Sequence, residues 1–106
     1  MNVVIFITAA SKEEADKIAT KLVEEKLAAC VNIVSNIESV FRWRGKVDRA
    51  KELLLLVKST EENTAEIITT VKSLHSYDVP EIIALPITTG LEPYLNWINE
   101  SVRKPR

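Results

Sequence analysis

A chain of 106 residues has room for one domain, spanning residues 1–106, and for one modest core. Its 46% hydrophobic and 27% charged composition excludes a disordered chain, and its net charge of −1 lacks the basic surplus of a nucleic-acid binder. One cysteine excludes an internal disulfide, and two glycines leave no glycine-rich phosphate loop.

In chain order, Val3 to Ile7 is a short β-branched run and reads as a strand buried on both faces. Ser11 and Glu14 form a capping box ahead of a helix. Ala15, Ile18, Ala19, Leu22, Val23 and Leu27 share its apolar face. From Cys30 the period becomes two. Val31, Ile33, Ile37, Phe41 and Trp43 share one parity, and the pattern allows a bulge near Asn36. Arg44-Gly45 reads as a tight hairpin turn. The return strand, Lys46 to Lys58, starts charged and ends in the apolar run Leu53 to Val57.

Ser59 and Glu62 match a second capping box, and Ala65, Ile68, Val71 and Leu74, with Ile67 alongside, form the stripe of a second helix ending near His75. Val79-Pro80 forces an extended backbone into a strand from Glu81 to Leu85. Leu91, Tyr94, Leu95, Ile98 and Val102 follow at helical spacing, with Arg103 to Arg106 as a frayed tail. The order β-α-β-β-α-β-α is an α+β, ferredoxin-like split βαβ arrangement with a long hairpin between the second and third strands and an extra C-terminal helix. Helices cover one face of such a sheet, yet three strand runs are apolar on both parities. A second subunit is therefore expected over the other face.

Ala28-Ala29-Cys30-Val31-Asn32-Ile33, Phe41-Arg42-Trp43-Arg44-Gly45-Lys46, Glu52 with Lys58, His75-Ser76-Tyr77-Asp78-Val79-Pro80-Glu81-Ile82 and Tyr94-Leu95-Asn96-Trp97-Ile98 follow one another with matching spacing. Together they resemble the divalent-cation-tolerance (CutA) family across nearly the whole chain. Ser76 stands where that family usually carries proline. The resemblance implies a PII-like homotrimer with exchanged hairpin arms, linked to tolerance or binding of copper and other divalent metals, and without a catalysed reaction.

Cys30 is a soft donor and His75 a borderline one, which suits copper or zinc. The resemblance brings both near clefts between subunits, with Glu81 as an added carboxylate. One cysteine and one histidine cannot close a four-ligand zinc site, so no obligatory cofactor is expected, only weak binding of Cu or another divalent cation. The alternative for Cys30 is a small buried hydrophobe, and for His75 a helix C-terminal residue favoured by the dipole. Asn32, Glu52, Lys58, Tyr77 and Trp97 form the expected intersubunit cleft. The competing function is a PII-like signalling module taking a small molecule or protein there.

Other classes lack their residues. Thr8-Ala9-Ala10-Ser11 contains no CxxC for a copper chaperone, the central runs lack the stacking aromatics of an RNA-binding sheet, and no arginine precedes Arg42 for a phosphatase-type first loop. No apolar run approaches the ~20 residues of a membrane span, and no leader pattern follows Met1, so a cytoplasmic protein is expected.

Overall fold

The computed structural model describes residues 1–104. Four strands, β1 (Asn2–Ala9), β2 (Cys30–Trp43), β3 (Lys46–Thr60) and β4 (Ile82–Pro86), alternate with helices α1 (Lys12–Glu24), α2 (Thr64–Leu74) and α3 (Glu92–Ser101). The sheet order is β2-β3-β1-β4, antiparallel at every pairing. This is the split βαβ order expected from the sequence. Pro105 and Arg106 of the expected tail lie outside the described residues.

The core lies between one face of the sheet and the first two helices. Val3, Ile5, Ile7 and Ala9 of β1 alternate inward, as do Leu53, Leu55 and Val57 of β3. Ala15, Ile18 and Leu22 of α1 and Ile67 and Val71 of α2 close over them. The Ser11 hydroxyl accepts from the Glu14 N–H at 3.2 Å, the N-cap half of a capping box, while the Glu14 carboxylate reaches the Ala10 N–H in place of the Ser11 N–H. Lys26 then ends α1 in the left-handed region (φ 57), and the N–H of Leu27 returns to the Leu22 carbonyl. Val23 departs from its expected place and is exposed.

The second capping box does not form. Ser59 belongs to β3, is fully buried, and donates its hydroxyl to the Leu27 carbonyl at 2.6 Å. A 3-10 turn, Glu61–Asn63, leads into α2 instead. The buried face of α2 is consequently Ile67 and Val71, while Ile68 is exposed. Strict three-residue steps drift off a turn of about 3.6 residues, so Ala65 and Ile68 leave the face that Ile67 and Val71, four apart, share. The expected fraying also fails at Arg103. Its N–H donates to the Lys26 carbonyl, its carbonyl accepts from Asn63, and its guanidinium pairs with Glu66.

The hairpin turns through Arg44 (φ 52) and Gly45 (φ 79), the two positive φ values of a type I′ turn. The bulge is real. Between Val34–Leu54 and Ile37–Glu52 the strand β2 advances one residue more than β3, with Asn36 at φ 62. One extra residue switches side chains to the opposite face. Val31 and Ile33 pair with Val57 and Leu55 on the helix side, whereas Ile37, Phe41 and Trp43 pair with Glu52, Asp48 and Lys46 on the other. The single parity seen in the sequence is therefore two faces in the fold.

That other face, free of α1 and α2 and met by α3 only at its Asn2 and Cys30 end, carries rows of directly opposed residues. Asn32, Leu56, Phe6 and Ile83 form one row, and Cys30, Lys58, Val4 and Leu85 the next. Ile83 is 51% and Leu85 40% exposed. The strands are apolar on both parities as read, but β4 is an edge and its outward side chains have no cover within one chain.

Candidate functional site

The expected site residues separate into two groups. Cys30 opens β2 opposite Lys58, which in turn opposes Val4. Its thiol is half-buried and points toward the Asn32 amide oxygen at 4.0 Å. Helix α3 lies at this end, tied by the Asn2 side chain donating to the Leu95 carbonyl at 3.0 Å. It presents Tyr94 and Trp97 as a tilted ring pair with centroids 5.4 Å apart. Burial, and then the neighbouring Cys30, raises the Tyr94 phenol above its ordinary range.

The second group sits beside Thr8, four residues further along β1 and therefore about 13 Å from the Cys30 row at the strand rise. His75 ends α2, and its side chain is wholly buried. Its Nε2 lies 2.7 Å from the Thr8 carbonyl, and its Nδ1 accepts the Tyr77 N–H at 3.1 Å. A carbonyl can only accept, so Nε2 carries the proton and Nδ1 offers a lone pair. Both ring nitrogens are thus committed. The Tyr77 ring packs against the imidazole at 4.8 Å, and its hydroxyl donates to Glu52 Oε2 at 2.8 Å. Desolvation, then this bond to a carboxylate, pushes the Tyr77 phenol up to about 12.

Glu14 joins this end without having been read as a site residue. One carboxylate oxygen accepts the Ala10 N–H at 3.2 Å and the other accepts the Ser76 N–H at 2.8 Å. Burial opposes its charge, but hydrogen bonds from the Ser76 side chain and from the Ala10 and Ser76 N–H groups outweigh it and hold the carboxyl below its ordinary range. Its sequence signal was the capping box, which gave it a helix role only. A proline at position 76 would have no N–H and could not make this bond.

An open groove of 820 Å³ runs from Thr8 and Glu52 along the hairpin to Phe41 and Trp43, with Tyr77 and Glu81 on its opposite wall. The structure therefore brings His75, Tyr77, Glu52 and Glu81 to one end, and Cys30, Asn32, Lys58 and Trp97 to the other. Among the described residues of one chain, no three His, Cys, Asp or Glu side chains converge to hold a metal ion. No helix of the described residues is long and apolar enough to cross a membrane.

A family model described as CutA1 divalent ion tolerance protein matches residues 3–101. The chain is 52% identical over 101 residues to the divalent-cation tolerance protein CutA of Thermus thermophilus, covering 95% of this chain and 98% of that one. It is 46% identical over 102 residues to the chloroplastic protein CutA of Arabidopsis thaliana, covering 96% of this chain but only 56% of that relative's length. The solved Thermus thermophilus structure superposes with a TM-score of 0.96 at 50% identity, over 97% of this chain and 100% of that one. The Archaeoglobus fulgidus structure, described as a periplasmic divalent cation tolerance protein, gives 0.94 at 50% identity, over 97% of this chain and 100% of that one.

Proposed function

The chain belongs to the CutA1 divalent ion tolerance family, and from that premise we propose that it works as a non-enzymatic homotrimer that binds divalent cations weakly where its subunits meet. The observation that carries this reading is the sheet face away from α1 and α2, whose apolar rows are only partly covered within one chain and end in the exposed Ile83 and Leu85. The family's named role in divalent cation tolerance supplies the cargo. In the proposed trimer the Cys30 end of one chain meets the His75 and Glu81 end of the next. Neither end has enough donors alone, which fits a border site.

Weak binding has a physical cause. A cation at His75 must displace the imidazole from Thr8 or from Tyr77, and each displaced bond counts against affinity. Cys30 is freer, because its thiol is half-buried and its partners, the Asn32 oxygen at 4.0 Å and the Tyr94 hydroxyl, are weakly bound. A soft thiolate favours copper over harder ions. The cytoplasm is the compartment of this reading, since it keeps the single thiol reduced.

Calorimetric titration of Cu(II) and Zn(II) tests the ligands. Wild type, Cys30→Ser and the Cys30→Ser/His75→Ala pair are compared at one subunit concentration. The expected outcome is an affinity about tenfold lower in Cys30→Ser, equal to the loss of one good contact, and lower again in the pair. Equal affinity across all three rejects both residues as ligands.

A further inference from the structure

Two acceptors face each other beside the Ser76 loop. His75 gives its Nε2 proton to the Thr8 carbonyl, so Nδ1 offers only a lone pair. Glu14 Oε1 lies 3.8 Å from that Nδ1. Each takes one donor, Nδ1 the Tyr77 N–H at 3.1 Å and Oε1 the Ala10 N–H at 3.2 Å. Both bonds are long against the usual distance of about 2.9–3.0 Å. Lone pairs set against each other repel unless a positive centre stands between them.

The pair is held from outside itself. Thr8 fixes the imidazole at 2.7 Å, and the Ser76 N–H fixes the other Glu14 oxygen at 2.8 Å. All of these groups belong to one chain, at the start of α1, the end of β1 and the loop after α2. None of the geometry depends on the sheet face away from the two helices. The imidazole has no exposed surface and the Glu14 side chain only 12%, so a cation enters only as the loop lifts. The spacing is that of two ligands on one ion. Bonds of about 2.0–2.2 Å to nitrogen and oxygen, at a tetrahedral angle, set their donors about 3.4 Å apart. This nitrogen and carboxylate oxygen are within about 0.4 Å of that separation. Two protein donors leave the other positions to water, which keeps the affinity low.

We propose that a divalent cation is taken between His75 Nδ1 and Glu14 Oε1, and that its arrival releases the Tyr77 N–H. The proposal rests on the reading of His75 as a ligand and adds Glu14 to Glu81 as a carboxylate at that end. Nδ1 has one lone pair, so the cation and the Tyr77 amide cannot share it. Binding therefore loosens the loop at Tyr77, while Ser76 stays tied to Glu14 through Oε2. The loop's order then follows the cation, and the protein registers the ion as well as holding it.

Zinc, which is diamagnetic, is the probe, titrated into the isotope-labelled full chain in its native assembly state and followed by nuclear magnetic resonance. The single histidine gives one imidazole to follow. The Nδ1 resonance is expected to shift while Nε2 keeps its proton, and hydrogen exchange at the Tyr77 amide is expected to speed up. Affinity read at that ring is expected to fall about tenfold or more in Glu14→Gln, the scale of one lost charge-assisted contact. Glutamine still offers an oxygen to the Ser76 N–H, so that tie is kept. Glu13→Gln, the same charge change at an exposed neighbour, is expected to leave the affinity unaltered. In wild type the Glu14 carboxylate carbon is expected to shift with zinc, which serves if Glu14→Gln fails to fold. An Nδ1 shift with affinity unchanged in Glu14→Gln, or with the Glu14 carboxylate unmoved, overturns Glu14 as a donor and leaves His75 a ligand. An Nδ1 shift with unchanged Tyr77 exchange overturns the release. No Nδ1 shift up to millimolar zinc overturns the His75 reading, and this proposal with it.

Discussion

Ile83→Asp is expected to dissociate the assembly while leaving the subunit folded. Ile83 lies on the sheet face away from α1 and α2, opposite Phe6 at the sheet edge, and is 51% exposed within one chain. A substitution at such a position costs a lone subunit within about 0.5 kcal/mol. Across a covered interface the same aspartate is an unpaired buried charge, costing several kcal/mol per copy. About 4 kcal/mol corresponds to roughly three orders of magnitude in dissociation constant. Sedimentation and far-ultraviolet circular dichroism at micromolar concentration read the two effects separately. An unchanged mass would show that this face is not the interface. By contrast, the same change at Val79, exposed in the loop before β4, is expected to leave the mass unaltered.

His75→Ala is expected to destabilise the protein by about 2–4 kcal/mol. Two hydrogen bonds are lost, each worth about 1 kcal/mol net, and the Thr8 carbonyl loses its imidazole partner. The truncation also opens a cavity, since the imidazole has no exposed surface. Urea unfolding of both proteins at the same subunit concentration measures the loss, with an unchanged slope showing that the comparison is of like states. The loop that carries Tyr77 and Glu81 should loosen with it, because the Tyr77 N–H is anchored to the ring. A loss below about 1 kcal/mol would mean that the imidazole is not the latch its two bonds describe.

The contrast between these residues and the sequence shows where reading a chain stops. Strand and helix order, the Arg44-Gly45 turn and the Ser11 cap were all legible because each depends on neighbours within a few positions. The hairpin's faces were not. Asn36 signalled a bulge, but only the pairing with β3 reveals that Ile37, Phe41 and Trp43 cross to the other side. Ser59 misled for a related reason. Its hydroxyl had a local use as a cap and a distant one at Leu27, and the buried carbonyl won. The site divided in the same way. Residues drawn together by one family pattern, such as Glu52 and Lys58, lie on one strand six residues apart in sequence. Glu14, which sequence read only as a cap, holds the Ser76 loop across 62 positions.

The central claim is that the sheet face away from α1 and α2 is covered by other copies of this chain. Native mass spectrometry of the metal-free protein at low micromolar concentration tests it most directly. The account predicts one dominant species of three times the 11.9 kDa chain mass. A dominant species at the mass of a single chain would contradict it.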